Sequence, residues 1–226
     1  QRQVCIRVWF YKMSKIIVSL SEVEKRTTAA LSGHGAEKWV AMEVAKAVKL
    51  AEATGNLICG LYYLESYCMQ LLSGRVNVKA IPEVFEPKSG SVLVDAKYGF
   101  AQAAFCIGLP NAIKAATENG IALLGIKHAH TCTSLGYFTK KIAEKGFVGI
   151  GFANASSVVA PPGGKKPVLG TNPIAMSVPK KGGGILFQFD QSTSAVALGK
   201  ITKAKAAGEA IPLGWAVDSR GNPTSN

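Results

Sequence analysis

The residues best suited to chemistry fall in three short polar clusters. The first is Lys127-His128-Ala129-His130-Thr131-Cys132-Thr133-Ser134, which holds two of the three histidines. It follows the apolar run 121–126 and precedes a helical pattern over 135–145. A near-continuous apolar run fits a buried strand. Ligands of open α/β sheets bind just past the carboxyl ends of strands, and the following helix offers free N–H groups to an anion. The plainer alternative is a capping loop, with Thr133 or Ser134 as N-cap and both histidines exposed. The second cluster, Leu169-Gly170-Thr171-Asn172-Pro173-Ile174, sets side-chain donors on rigid extended backbone before a proline; it reads equally as a turn. The third is Phe189-Asp190-Gln191-Ser192-Thr193-Ser194. An acidic residue at a strand end, followed by hydroxyls opening a helix, suits a ribose. As a bare helix start, Asp190 or Ser192 is the cap.

Other chemistries lack their residues. No GxGxxG follows a strand and no GxxxxGK[ST] occurs, so neither a standard Rossmann loop nor a Walker loop is supported. Gly182-Gly183-Gly184 reads as a flexible hairpin. No metal site is expected, because His128 and His130 have no carboxylate set near them and Cys132 suits a small buried residue. The five cysteines form no CxxC pair and no disulfide scaffold, which points to a reducing, cytoplasmic compartment. No apolar run approaches the roughly 20 residues of a membrane span, and the N-terminus lacks the order of a signal peptide.

The elements that must position these clusters follow from periodicity and breakers. A capping box at Ser21 and Glu24 opens a helix to Ser32. Apolar positions at helical spacing predict helices over 36–53 and 61–72, and a mostly helical stretch over 100–118 is interrupted or kinked at Pro110. Short strands are expected at 91–94, 121–126, 148–153 and 186–189. The long Pro- and Gly-rich loop 161–173 has the character of a functional loop. Alternation of strand and helix makes the fold class α/β. With 226 residues, 48% hydrophobic, the chain carries a full core. The basic, aromatic residues 1–12 are expected to be an extension upstream of the fold, a first strand being the alternative. The turn sequence at 221–226 is expected to mark a cut chain.

Read together, the motifs resemble one family. They are Phe152-Ala153-Asn154-Ala155, Val159-Ala160-Pro161, the block 167–175 containing Gly170-Thr171-Asn172-Pro173, Asp190, Ser194-Ala195-Val196-Ala197, Gly199-Lys200-Ile201 and Ile211-Pro212 with Gly214-Trp215-Ala216 and Asp218. In order and spacing they are similar to the malate/L-lactate dehydrogenase family, whose cofactor domain is not Rossmann. The resemblance runs from about Met13 to the end and is strongest from Phe147 onward. It implies a helical, substrate-binding region over 13–120 and an incomplete cofactor domain over 121–226. It also implies hydride transfer between NADP or NAD and a small 2-oxo or 2-imino acid, in a homodimer.

The family's site residues carry over unevenly. A Ser-His-Gly turn with an Arg three residues on supplies proton donor and carboxylate clamp; here the turn is Ile58-Cys59-Gly60, with Tyr63 in the Arg position. The family's His loop reads His130-Thr131-Cys132-Thr133-Ser134-Leu135, implied to contact cofactor. Thr171 is implied to touch substrate, and Phe189, Asp190 and Gln191 to bind the nucleotide. The Lys and Gly-rich segment that the family carries further on are absent. Cys59 by position, and His130 by chemistry, are the two proton-donor candidates. The loop followed by Leu135-Gly136-Tyr137-Phe138 looks closer to the Δ1-pyrroline- and Δ1-piperideine-2-carboxylate reductases than to malate enzymes. A 2-hydroxy acid dehydrogenase and a non-catalytic relative are the rival readings. Lys plus Arg exceeds Asp plus Glu by 26 − 14 = 12, but the lysines are scattered without a nucleic-acid motif, so no nucleic acid partner is expected.

Overall fold

The computed structural model describes residues 3–6, 16–130 and 133–225. Its contacts divide the chain into two units, Gln1–Tyr137 and Phe138–Asn226.

The first unit opens with β1 (Gln3–Ile6) paired antiparallel to β2 (Ile16–Ser19). At residues 3–6 the first-strand alternative is therefore the one seen. Pairing through Ser19 holds that residue extended, so α1 (Leu20–Gly33) starts earlier than its sequence suggests. Ser19, not Ser21, is the N-cap, accepting from Glu22 N–H at 3.2 Å. In α2 (Lys38–Ala53) the residues Val40, Ala41, Val44, Ala47, Val48 and Ala51 form one buried stripe, and Glu52 is buried with them. Two short 3₁₀ turns follow, Leu57–Cys59 and Leu61–Tyr63, and lead into α3 (Leu64–Leu72). The expected helix at 61 thus begins as a tighter turn. Val23, Leu31, Val44, Val48, Tyr67, Leu71 and Phe100 close one core between these helices.

A three-stranded sheet completes this unit. β3 (Glu83–Lys88) runs antiparallel to β4 (Ser91–Asp95), which runs parallel to β5 (Leu123–Lys127). The joining helix α4 (Ala101–Asn119) continues through Pro110 without interruption. It lies so close to the sheet at Gly108 that a methyl there would come 2.4 Å from Val94 Cγ2. Val92, Val94, Ala104, Ala112 and Ala115 form the second core. β3 was not expected, because Pro87 and its charges hide an exposed edge strand, whose register slips between Phe85 and Lys88. Because β5 pairs with β4, residues 121–127 pack in this unit.

The second unit is built on β6 (Gly149–Phe152), β7 (Ile174–Pro179) and β8 (Ile185–Gln191), antiparallel in that order. β7 went unseen in the sequence because the Pro-rich loop reading ran into it. Gly182, Gly183 and Gly184 all take positive φ and form the hairpin between β7 and β8, as expected. α5 (Gly136–Ala143), within which the units divide, puts Thr139 Oγ1 2.8 Å from Ser177 Oγ on one sheet face. On the other, Ile150, Met176 and Phe189 stand in register, with Phe152 and Phe187 exposed beside them. α6 (Leu198–Ala207) and the short pair β9 (Ala216–Val217) and β10 (Pro223–Thr224) follow.

Candidate active site

In the first unit the carboxyl ends of the parallel strands β4 and β5 lie side by side, and their loops run on together. Ala96 N–H donates to Lys127 C=O, Tyr98 N–H to His128 C=O, His130 N–H to Gly99 C=O and Ala101 N–H to His130 C=O. Lys97, Tyr98 and His128 all take left-handed φ of 49 to 63°. Such backbone is uncommon for residues with side chains and collects at functional loops. The Tyr98 ring stacks on His128 at 5.0 Å.

Asp95 organises this crossing. Its Oδ1 accepts from Lys97 N–H at 2.9 Å and from His128 Nδ1 at 3.1 Å, while Lys127 Nζ lies 3.5 Å from Oδ2. The Lys97 N–H, then the His128 ring, hold the Asp95 carboxyl at about 2, against the pull of burial. A folded pKa below the unfolded value of about 3.9 stabilises the fold above pH ~4, and that stability is lost as pH falls through about 2. Replacing Asp95 by Asn is expected to lower stability at neutral pH and to flatten the acid limb between about pH 4 and 2. Urea unfolding across that range reads both effects; an unchanged acid limb would remove Asp95 from this role. Asp95 was not singled out in the sequence, although the strand-end rule that selected His128 and His130 applies equally to the end of β4.

His130 sits half-buried, with its pKa lowered by burial and by the Arg75 charge. Its ring is therefore neutral at pH 7. Thr131 and Cys132 lie outside the described residues. Thr133, also left-handed, accepts from Gln102 Nε2 at 3.3 Å, while Ser134 and Leu135 are buried. Gln102 is fully buried, and among the described residues its Oε1 has no partner.

Cys59 and Tyr63 stand on the two 3₁₀ turns, both half-buried. Burial, then Tyr62 and Cys59, push the Tyr63 phenol up, so it stays a neutral O–H donor. Tyr63 stacks on Tyr67 at 6.2 Å, and Tyr67 meets Phe100 edge-on at 6.2 Å. Phe100 in turn pairs its backbone with His130. This run of rings joins the Cys59 turn to the β5 strand end. Below the turn, Glu52 Oε1 accepts from Leu61 N–H at 2.7 Å. Burial pushes the Glu52 carboxyl up and the Leu61 bond draws it back.

The second unit holds the other expected residues. Thr171 C=O accepts from Thr193 N–H at 2.9 Å, Thr193 Oγ1 at 3.1 Å and Ser192 Oγ at 3.1 Å. Asn172 Oδ1 accepts from Ala155 N–H at 2.9 Å. The Gly170-to-Pro173 segment thereby ties two loops together. Asp190 pairs with Ala175 in the β7–β8 ladder and is exposed, as is Gln191, with Phe189 between exposed and buried. The hydroxyls after it do not open a helix: they fold onto Thr171, and α6 starts only at Leu198, capped by Ala197 without a side-chain bond.

The geometry can be set against known proteins. The malate/L-lactate dehydrogenase family model matches residues 18–226. (2R)-3-Sulfolactate dehydrogenase (NADP(+)) of Chromohalobacter salexigens is 41% identical over 215 residues, covering 95% of this chain and 63% of that protein. Δ1-Pyrroline-2-carboxylate reductase 1 of Burkholderia ambifaria is 35% identical over 95% of this chain and 63% of its own length. The crystal structure of Δ1-piperideine-2-carboxylate reductase from Pseudomonas syringae pvar. tomato superposes with a TM-score of 0.86 at 34% identity, over 92% of this chain and 62% of that one. The chain thus spans about three fifths of the length of these relatives. The resemblance seen in its motifs is a true kinship, and the α/β fold with a helical first region is the fold of those relatives: the chain belongs to the malate/L-lactate dehydrogenase family.

Proposed function

We propose that the natural protein carrying this chain is an NAD(P)H-dependent reductase of a small cyclic 2-imino acid, of the Δ1-pyrroline- or Δ1-piperideine-2-carboxylate type, or of a 2-oxo acid. The observation that carries this reading is the ring-linked pairing of the Cys59–Tyr63 turn with the His130 strand end in one unit. Relatives named for 2-imino acid reduction and for sulfolactate oxidation support the same reaction class.

The residues present suit a nicotinamide cofactor. Gln102 Oε1 is a buried acceptor beside Thr133, and His130 and Thr133 add polar groups at the strand end. Taken by itself, the second unit carries Asp190 and Gln191, which the family resemblance implies bind the nucleotide, exposed at the end of β8. The bound cofactor would supply the hydride. The chain's own residues hold the acid: Tyr63, a neutral phenol, donates one hydrogen bond to the carboxylate where a guanidinium would give two. An imine that enters protonated takes hydride at C2, its C=N electron pair goes to nitrogen, and the proton is already there. A 2-oxo acid needs a proton delivered to oxygen, which a thiol or neutral imidazole gives less readily. The departures at Cys59 and Tyr63 therefore favour the imine.

Residues 13–120 are assigned mainly to substrate and 121–226 mainly to cofactor. The exposed apolar face of β6–β8 supports a homodimer, and the scattered cysteines support a cytoplasmic setting. Among the described residues no helix is long and apolar enough to cross a membrane. The protein is expected to oxidise NAD(P)H faster with Δ1-pyrroline-2-carboxylate or Δ1-piperideine-2-carboxylate than with pyruvate or oxaloacetate. Asp190→Ala should weaken the quenching of NAD(P)H fluorescence. The reverse substrate order, followed by nicotinamide absorbance, rejects the imine reading. Binding unchanged in Asp190→Ala rejects the nucleotide site.

A further inference from the structure

The turn that carries Cys59 and Tyr63 rests on a buried carboxylate that the reaction itself does not use. Glu52 ends the buried stripe of α2 and is 8% exposed. Its Oε1 takes the Leu61 N–H at 2.7 Å, the first amide after Gly60. A methyl on Gly60 would come 2.1 Å from Oε1, 2.8 Å from Cδ and 3.0 Å from Cγ of the same side chain. The φ of Gly60 is −94°, outside the left-handed region, but its ψ of −133° lies between the regions that residues with a Cβ ordinarily occupy. Space for Glu52 is a second, steric reason for a glycine there. One carboxylate thus grips the amide on one side of Cys59-Gly60-Leu61 and fills the room over its centre. Within the segment, Cys59 N–H donates to Asn56 C=O, Gly60 N–H to Leu57 C=O, and Tyr63 N–H to Gly60 C=O at 3.4 Å, while Asn56 N–H donates to Ala51 C=O of α2 at 2.9 Å. Through the Leu61 bond the Glu52 side chain links this segment to α2.

We propose that Glu52 is a positioning residue, which fixes the backbone between the two 3₁₀ turns and through it the placement of the Cys59 thiol and the Tyr63 hydroxyl. The proposal rests on reading that turn as part of the active site. Glu52 acts as an acceptor and a spacer, not as a proton source, so a neutral amide oxygen can replace it. A hydrogen bond to a charged group is worth on the order of ten-fold in an opening equilibrium.

Amide hydrogen exchange of the peptide spanning 57–64, measured on the full chain, tests the grip without any need for turnover. Glu52→Ala is expected to speed exchange there about ten-fold, and Glu52→Gln to restore it to within about three-fold. Gly60→Ala should speed exchange in the parent chain, and clearly less in the Glu52→Ala background, where the methyl has room and only the backbone cost of alanine remains. In the active protein, Glu52→Ala should lower kcat with KM for cofactor nearly unchanged, and Glu52→Gln should recover kcat with an unaltered pH profile. Parental exchange in Glu52→Ala, or additive effects of the two substitutions, overturns the grip. A Glu52→Gln variant as slow as Glu52→Ala overturns the acceptor role and makes Glu52 a proton carrier. If exchange responds as expected while Cys59→Ala and Tyr63→Phe leave turnover intact, the reading of the turn as active site fails, and the positioning role falls with it.

Discussion

Cys59→Ala is expected to slow reduction of a 2-oxo acid by about 10²–10⁴, the usual worth of a proton donor in the transition state. The same change should cost far less with a protonated cyclic imine, because that substrate brings its own proton. Cys59 is half-buried at the end of a 3₁₀ turn, close enough to Tyr63 to influence its ionisation. His130 competes for the role by chemistry, but burial and Arg75 keep its ring neutral at pH 7. Its backbone is fixed to Gly99 and Ala101, at the strand end where a nicotinamide is proposed to lie. His130→Ala should therefore raise KM for cofactor more than it lowers kcat. Steady-state kinetics with both substrates separate the two residues. If Cys59→Ser loses stability but keeps its rate per folded molecule within a few-fold, and His130→Ala is equally mild, neither residue delivers the proton.

The second large effect is expected at Gly170. A methyl there would stand 2.2 Å from Ala155 C=O and 2.4 Å from Asn172 Oδ1. The carbonyl belongs to backbone and cannot swing aside, so the Asn172–Ala155 bond must break and Thr171 must move. Overpacking of this kind costs about 1–3 kcal/mol, and the lost bond adds about 1. Gly182→Ala is the matched control: it has open space around it but a φ of +87°, so its cost is only the left-handed strain of about 1–2 kcal/mol. Thermal unfolding followed by circular dichroism should place Gly170→Ala clearly below Gly182→Ala. Equal losses would mean that the 155 and 172 loops are not held together as described.

Much of this is legible in the sequence. A strand near 121–126, the helices of the first region and the glycine hairpin follow from periodicity and turn chemistry, and the fold class follows from their order; the strand runs over Leu123–Lys127, however, and is not buried, Ile121 and Leu123 being exposed. What escaped notice has physical reasons. β3 carries Pro87 and a row of exposed charges, so nothing in its pattern separates an edge strand from a loop. The N-cap moved from Ser21 to Ser19 because strand pairing, a non-local contact, fixes Ser19 as extended. The hydroxyls after Asp190 read as a helix start because hydroxyls suit caps, but Thr171, twenty-odd residues earlier in sequence, offers its carbonyl to Ser192 and Thr193. Nothing local sets Glu52 apart from other helix carboxylates; only the turn folded over it makes it a buried acceptor. Local signals survive in the sequence, and partners supplied from afar do not.

The left-handed residues at the ends of β4 and β5 have an evolutionary consequence. Glycine at Tyr98 or His128 would relieve about 1–2 kcal/mol of backbone strain, but it would also enlarge the unfolded ensemble by a comparable amount. The two backbone effects largely offset, so what separates the present residues from glycine is their side chains. What glycine would remove is the stacked Tyr98–His128 pair and the imidazole that Asp95 holds. The imidazole helps hold the Asp95 carboxyl low, so its loss would be felt in stability as well as at the strand ends.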